Sequence, residues 1–168
     1  MTRLAALLAA LALAVGACTT TPAPPPGLAA GPRSDAAPVV LQGPVTNVVD
    51  GDTIDLHDGT RVRLAIVDTP EVHGGLQPCG PEASDFTGRF VAGQTVAIYR
   101  PDRAPRTDRN GRTLGEVVRV SDGASLNVAL VAAGLGRVDE RFVHEDPDLA
   151  ARLEAAARAA TPAACRGP

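Results

Sequence analysis

Residues 49–71 read Val49-Asp50-Gly51-Asp52-Thr53-Ile54-Asp55-Leu56-His57-Asp58-Gly59-Thr60-Arg61-Val62-Arg63-Leu64-Ala65-Ile66-Val67-Asp68-Thr69-Pro70-Glu71, and their pattern decides the fold. Short β-branched runs, Val45 to Val49, Thr53 to Leu56 and Arg61 to Val67, are separated by turn signals at Asp50-Gly51 and His57-Asp58-Gly59. Asp and Gly accept tight-turn dihedrals, and β-branched side chains suit a pleated, half-buried surface. Arg61-Val62-Arg63-Leu64 alternates polar with apolar, as a strand with one wet face does. One of Arg61 and Arg63 is expected to face a cleft and the other solvent. Acids and arginines stand beside these apolar runs, where an unpartnered charge is costly.

Working outward, Pro81 to Val91 reads as a helix with proline in its first turn and Phe86 and Phe90 on one face. Thr95 to Tyr99 and Leu114 to Val120 read as a fourth and a fifth strand. Ser125 to Ala133 is a helix stopped by Gly134, and Asp146-Pro147 caps a last helix that runs to about Ala160. Five strands with interposed helices predict an α+β domain built as a small barrel.

The N-terminal residues have a different character. Arg3, the apolar run Leu4 to Val15 and the small residues before Cys18 make residues 1–17 an export signal, too short to remain as a spanning helix. Val15-Gly16-Ala17-Cys18 resembles the lipobox of bacterial lipoproteins, in which Cys18 is acylated, becomes the mature N-terminus and anchors the chain in the membrane. The alternative is ordinary secretion, with Cys18 incidental. Residues 18–38 are rich in Pro, Ala, Thr and Gly without apolar periodicity, which reads as an unfolded tether. Residues 39–168 then form one domain of ordinary size. With Cys18 consumed by lipid, Cys79 and Cys165 remain as a pair outside the cytoplasm, where a disulfide persists. Such a bridge closes a long loop and contributes roughly 4–5 kcal/mol on the chain-entropy model. No CxxC or Cys/His spacing points to a metal at either cysteine.

The 168 residues carry a net charge of −3, which by itself does not mark a nucleic-acid binder. The distribution says more. Arg100, Arg103, Arg106, Arg109 and Arg112 face only Asp102 and Asp108 in the same stretch, the one place that would attract a polyanion. Carboxylates at Asp52, Asp68 and Glu71 can hold a hard cation and activate water, and Arg63 and Arg112 can grip a phosphate. Together they point to metal-assisted phosphodiester hydrolysis. His57, His73 and His144 have no ligand spacing and are assigned no role.

These blocks resemble the staphylococcal nuclease, or thermonuclease, family. The matching stretches are Val49 to Thr53, Arg63 to Glu71, Gly80 to Thr87, Asp108 to Gly115 and Leu126 to Leu135, in family order and covering most of one domain. The resemblance implies a five-stranded OB-type barrel with three helices. It implies that Asp52, Asp68 and the Thr69 carbonyl bind Ca²⁺, weakly, on the order of 10⁻⁴–10⁻³ M for so few protein ligands. It makes Glu71 the general base and Arg63 and Arg112 the residues that stabilise the phosphorane-like transition state. Arg109 and Asn110 stand where the family has a lysine and a tyrosine at a terminal phosphate, so Arg109 is expected to bind phosphate too. Glu140 takes the place of a nucleotide-contacting tyrosine and is expected to repel a bound polyanion; Phe142 replaces a second tyrosine. The C-terminal helix lacks the family's aromatic near Thr161-Pro162. The implied activity is a monomeric, sugar-nonspecific endonuclease on DNA and RNA that leaves 3′-phosphate ends. From a different class, a noncatalytic OB-type binding lipoprotein is the alternative; the complete acidic and basic set and the scarcity of aromatic residues for base stacking weigh against it.

Overall fold

The computed structural model describes residues 38–160. The expected export signal and tether, Cys18, Thr161-Pro162 and Cys165 lie outside the described residues. Among the described residues, no helix is long and apolar enough to cross a membrane.

Strands β1 (Val39–Asp50), β2 (Thr53–Leu56), β3 (Arg61–Leu64), β5 (Thr95–Tyr99) and β6 (Thr113–Arg119) close into a barrel in the order β1-β2-β3-β6-β5. Helix α1 (Gly80–Val91) follows β4 (Val67–Asp68), α2 (Leu126–Ala132) follows β6, and α3 (Pro147–Ala159) ends the described chain. This is the expected α+β, OB-type barrel with three helices. β1 is longer than the run Val45 to Val49 because its first half pairs with β5 and its second half with β2, with register shifts between Val45 and Asn47 and between Val48 and Asp50. A strand that bends between two neighbours needs such irregularities to close a barrel.

The interior is filled by alternate strand residues, among them Ile54, Val62, Leu64, Val96, Ile98 and Val117, all nearly or wholly buried. Leu126, Leu130, Leu149 and Leu153 extend that core under α2 and α3. Each such side chain contributes about 1.5–3 kcal/mol by leaving water, so truncating Leu64 or Ile98 to alanine should cost roughly 2–5 kcal/mol. The cap read from sequence is present, the Asp146 carboxylate accepting from the Leu149 amide at 2.9 Å, and the structure adds another at α2, where the Ser125 hydroxyl accepts from the Val128 amide at 3.4 Å.

One expected strand is broken. Arg61 to Val67 splits into β3 and β4, because Ile66 adopts φ 60° in the left-handed region. A β-branched residue there is a real outlier, held by its surroundings at a cost of order 1–3 kcal/mol. Ile66 is buried, and its carbonyl accepts from the Asp139 amide at 2.9 Å. The turn sends β4 out of the barrel to pair with β7 (Arg137–Val138), a two-residue strand with no sequence signal of its own.

Candidate active site

Register brings the charged blocks together. In the β2–β3 ladder Thr53 lies opposite Arg63, and in the parallel β3–β6 ladder Arg63 lies opposite Leu114. Asp52 directly precedes Thr53 and Arg112 stands just ahead of β6, so both arrive beside Arg63. The Ile66 turn then carries Asp68 back toward it.

The result is a network centred on Arg63. Its Nη1 pairs with Asp52 Oδ1, and its Nη2 donates to Asp68 Oδ1 at 3.1 Å, the arginine side chain being only 16% exposed. Asp52 is buried, and its Oδ2 accepts from the Thr69 amide at 2.9 Å and the Thr69 hydroxyl at 3.0 Å. Thr53 Oγ1 donates to Asp52 Oδ1 at 3.1 Å and lies 3.5 Å from Arg112 Nη1. Asp68 also accepts from Arg137 Nη2 at 2.8 Å. Burial and, after it, the Arg112 charge pull the Arg63 guanidinium below its ordinary value, against the hold of Asp68.

Packing locks this turn against α1. Gly51 has no room for a side chain, since a Cβ would fall 2.7 Å from Thr69 Oγ1 and 2.8 Å from Ala83 Cβ. Close approach, rather than the turn dihedral assumed from sequence, is what demands glycine here. Thr87 of α1 donates to the Gly51 carbonyl at 2.6 Å.

Arg112 is aimed by Asp108, which accepts from the Arg112 amide at 2.9 Å and from Nε at 2.7 Å. Arg63, Arg109, Arg112 and Asp108 line one cavity of about 420 Å³ with Asp139 and Phe142. That volume falls within the range of about 300–1,000 Å³ that suits a small ligand.

Glu71 is placed through its backbone. Its amide donates to Gln77 Oε1 at 3.2 Å, its carbonyl accepts from the Gln77 amide at 2.9 Å, and Gly80 sits so near that a Cβ would come within 2.5 Å of that carbonyl. The carboxylate itself is on an exposed residue. His73 of the same loop donates from Nε2 to the Val49 carbonyl at 2.9 Å, pinning the loop to β1. Cys79 takes the left-handed N-cap position of α1.

The donor set fits a hard cation. Asp52 and Asp68 offer oxygen ligands on either side of one guanidinium, and the adjacent Thr69 can add a carbonyl; all three are ligand types that calcium prefers. Among the described residues no group of three or more His, Cys, Asp or Glu is gathered to hold a metal, so a cation would depend on backbone, water and substrate oxygens for the rest of its shell.

Comparison with known proteins matches the staphylococcal nuclease homologue family over residues 61–163. The chain belongs to the staphylococcal nuclease family. It is 38% identical over 112 residues to an uncharacterized endonuclease of Escherichia coli O157:H7, covering 65% of this chain and 67% of that protein. It is 37% identical over 122 residues to the thermonuclease of Staphylococcus hyicus, covering 69% of each. Membership of this family supports a nuclease.

Seen as a staphylococcal nuclease homologue, the chain departs from one sequence expectation. Glu140 lines a separate groove with Arg137, Glu154 and Arg158, so it does not face the arginine cavity. The expectation for Arg61 and Arg63 holds: Val62 and Leu64 point into the barrel and both arginines emerge outside, but Arg63 is 16% exposed and lines the cavity while Arg61 is 51% exposed to solvent. What separates them is position along the strand. Arg61 pairs with Asp55, donating from Nε at 2.7 Å and from Nη2 at 3.1 Å. Sequence reasoning also passed over Thr53, Gln77, Asp108 as the aiming group of Arg112, and Arg137. Only Asp108, four residues before Arg112, left a signal that could have been used.

Proposed function

We propose that this chain is a calcium-dependent, sugar-nonspecific endonuclease, acting as a monomer on DNA and RNA and leaving 3′-phosphate ends. We further propose that residues 1–17 direct export, that residues 18–38 tether the nuclease domain of residues 39–168 to a lipidated Cys18 outside the cytoplasmic membrane, and that Cys79 pairs with Cys165. The observation that carries the catalytic reading is that Arg63 contacts both Asp52 and Asp68 while lining the same cavity as Arg112.

Asp52, Asp68 and the Thr69 carbonyl would hold the calcium, which would supply a Lewis-acidic charge for a phosphate oxygen. Glu71 takes a proton from the attacking water, whose oxygen forms the new bond to phosphorus. The bond from phosphorus to the 5′ oxygen breaks on the opposite side, and that oxygen leaves with a proton from solvent. Arg63 and Arg112 donate to the non-bridging oxygens, where negative charge grows. Arg109, at the cavity mouth, holds a neighbouring phosphate.

The test incubates the mature chain with plasmid, denatured DNA and RNA, with calcium or with chelator, beside Glu71→Gln and Arg112→Ala. We expect calcium-dependent cutting, lowered about 10²–10⁴-fold by Glu71→Gln and about 10²–10³-fold by Arg112→Ala. No cutting by the unaltered chain overturns the enzyme reading, and equal cutting by all three overturns the residue roles. Partition of the full chain and of Cys18→Ser into detergent reads the anchor.

A further inference from the structure

The wall of the arginine cavity formed by the segment after β7 was given no working cation by the sequence, yet the structure holds one there. Arg141 donates from Nε to Asp139 Oδ1 at 2.9 Å and from Nη2 to Asp139 Oδ2 at 2.7 Å. Its guanidinium carbon lies 5.3 Å from the centre of the Phe142 ring, within cation–π range. Although fastened at two points, the Arg141 side chain is 78% exposed, and it lines the cavity shared by Arg63, Arg109 and Arg112.

A long side chain normally gives up rotamer freedom when it orders a ligand. Here two hydrogen bonds and an aromatic ring have already restricted the guanidinium. Asp139 offsets its charge and occupies one edge, which leaves little for a phosphate. What remains available is a flat surface at the rim of a nucleotide-sized space. Guanidinium planes and aromatic rings are the surfaces on which unpaired bases stack, and such stacking discriminates little between bases.

Resting on the nuclease reading above, we infer that Arg141, preset by Asp139 and Phe142, is the base-stacking residue of the substrate pocket. It fills a role that Glu140, turned to another groove, does not, and it selects substrates whose bases are free to leave the helix stack. DNA and RNA are treated alike because the surface meets the base and not the sugar.

The experiment compares two short single-stranded oligonucleotides of one sequence, one complete and one with abasic sugars on both sides of the scissile bond. Each is cut by the unaltered chain, Arg141→Ala, Arg141→Lys and Glu140→Ala. For Arg141→Ala we expect KM on the complete oligonucleotide to rise about tenfold, with kcat and the abasic KM moving less than about twofold. Arg141→Lys, which keeps the charge but not the plane, should match Arg141→Ala, and Glu140→Ala should match the unaltered chain. Equal losses on both oligonucleotides, full rescue by lysine, or a loss confined to kcat overturns the stacking role. If the unaltered chain cuts neither oligonucleotide, the nuclease reading fails separately. Anisotropy binding of the same two labelled oligonucleotides then decides on Arg141: a preference for the complete one that Arg141→Ala abolishes supports stacking, and its absence overturns it.

Discussion

Asn127 Nδ2 donates to the Ala65 carbonyl at 2.9 Å, and through this bond α2 holds the point where the chain leaves the barrel toward Asp68. The other end of the same buried amide, Oδ1, accepts from the Val117 amide of β6 at 3.0 Å. One side chain thus satisfies two backbone groups and supports the left-handed residue Ile66 beside them. Asn127→Leu strands both groups. At about 1–3 kcal/mol for each unsatisfied buried group, urea unfolding should show a loss of roughly 2–6 kcal/mol. Activity should fall further than stability alone explains, because Asp68 loses its support. A change within about 0.5 kcal/mol, the scatter of ordinary surface substitutions, would contradict this reading.

Asp108 makes a prediction about pH. Burial pushes its carboxyl up, but hydrogen bonds from the Arg112 amide and guanidinium and the Asn110 amide outweigh burial and hold it below its ordinary value. A carboxyl lowered in the folded state adds stability that is complete above the unfolded value and is lost as pH falls through the folded one. The stability gap between the unaltered chain and Asp108→Asn should therefore stay flat from about pH 8 to pH 5 and close below about pH 4. A gap that widens on acidification would reverse the sign and refute the assignment.

Glu116 and Arg152 form a buried ion pair behind the barrel, with Nη1–Oε1 at 2.7 Å, Nη2–Oε2 at 2.8 Å and side-chain exposures of 4% and 12%. Arg152 Nε is buried without a hydrogen-bond partner, so its solvation depends on this pair. Glu116→Leu leaves a guanidinium uncompensated and should cost about 3–5 kcal/mol in urea unfolding. Adding Arg152→Met should recover most of that loss, since paired apolar replacements of such bridges are often neutral. Failure of the second substitution to recover stability would show that the pair does more than solvate itself.

These elements also show how far sequence reading reaches. The Asp50-Gly51 turn, the Asp146 cap and the proline in the first turn of α1 were legible, because each is a local rule written in adjacent residues. The pairing of Asp52 with Asp68 across Arg63 was legible only through the family resemblance. The break at Ile66 was not legible, since Ala65-Ile66-Val67 reads as a strand; tertiary partners, the Asn127 amide and the Asp139 backbone, impose the turn. The destination of Glu140 was hidden for the same reason. Its neighbours decide which groove it lines, and β7, which sets the direction of that segment, is two residues long.

The central claim is that Asp52 and Asp68 are two halves of one calcium site, spanned by Arg63. The measurement that tests it most directly is a calorimetric calcium titration of the unaltered chain and of Asp68→Asn. Asp68 is partly exposed, so its replacement should leave the barrel folded. The account predicts one calcium with a dissociation constant on the order of 10⁻⁴–10⁻³ M in the unaltered chain, weakened at least about tenfold in Asp68→Asn. Equal calcium affinity in the two proteins would contradict it.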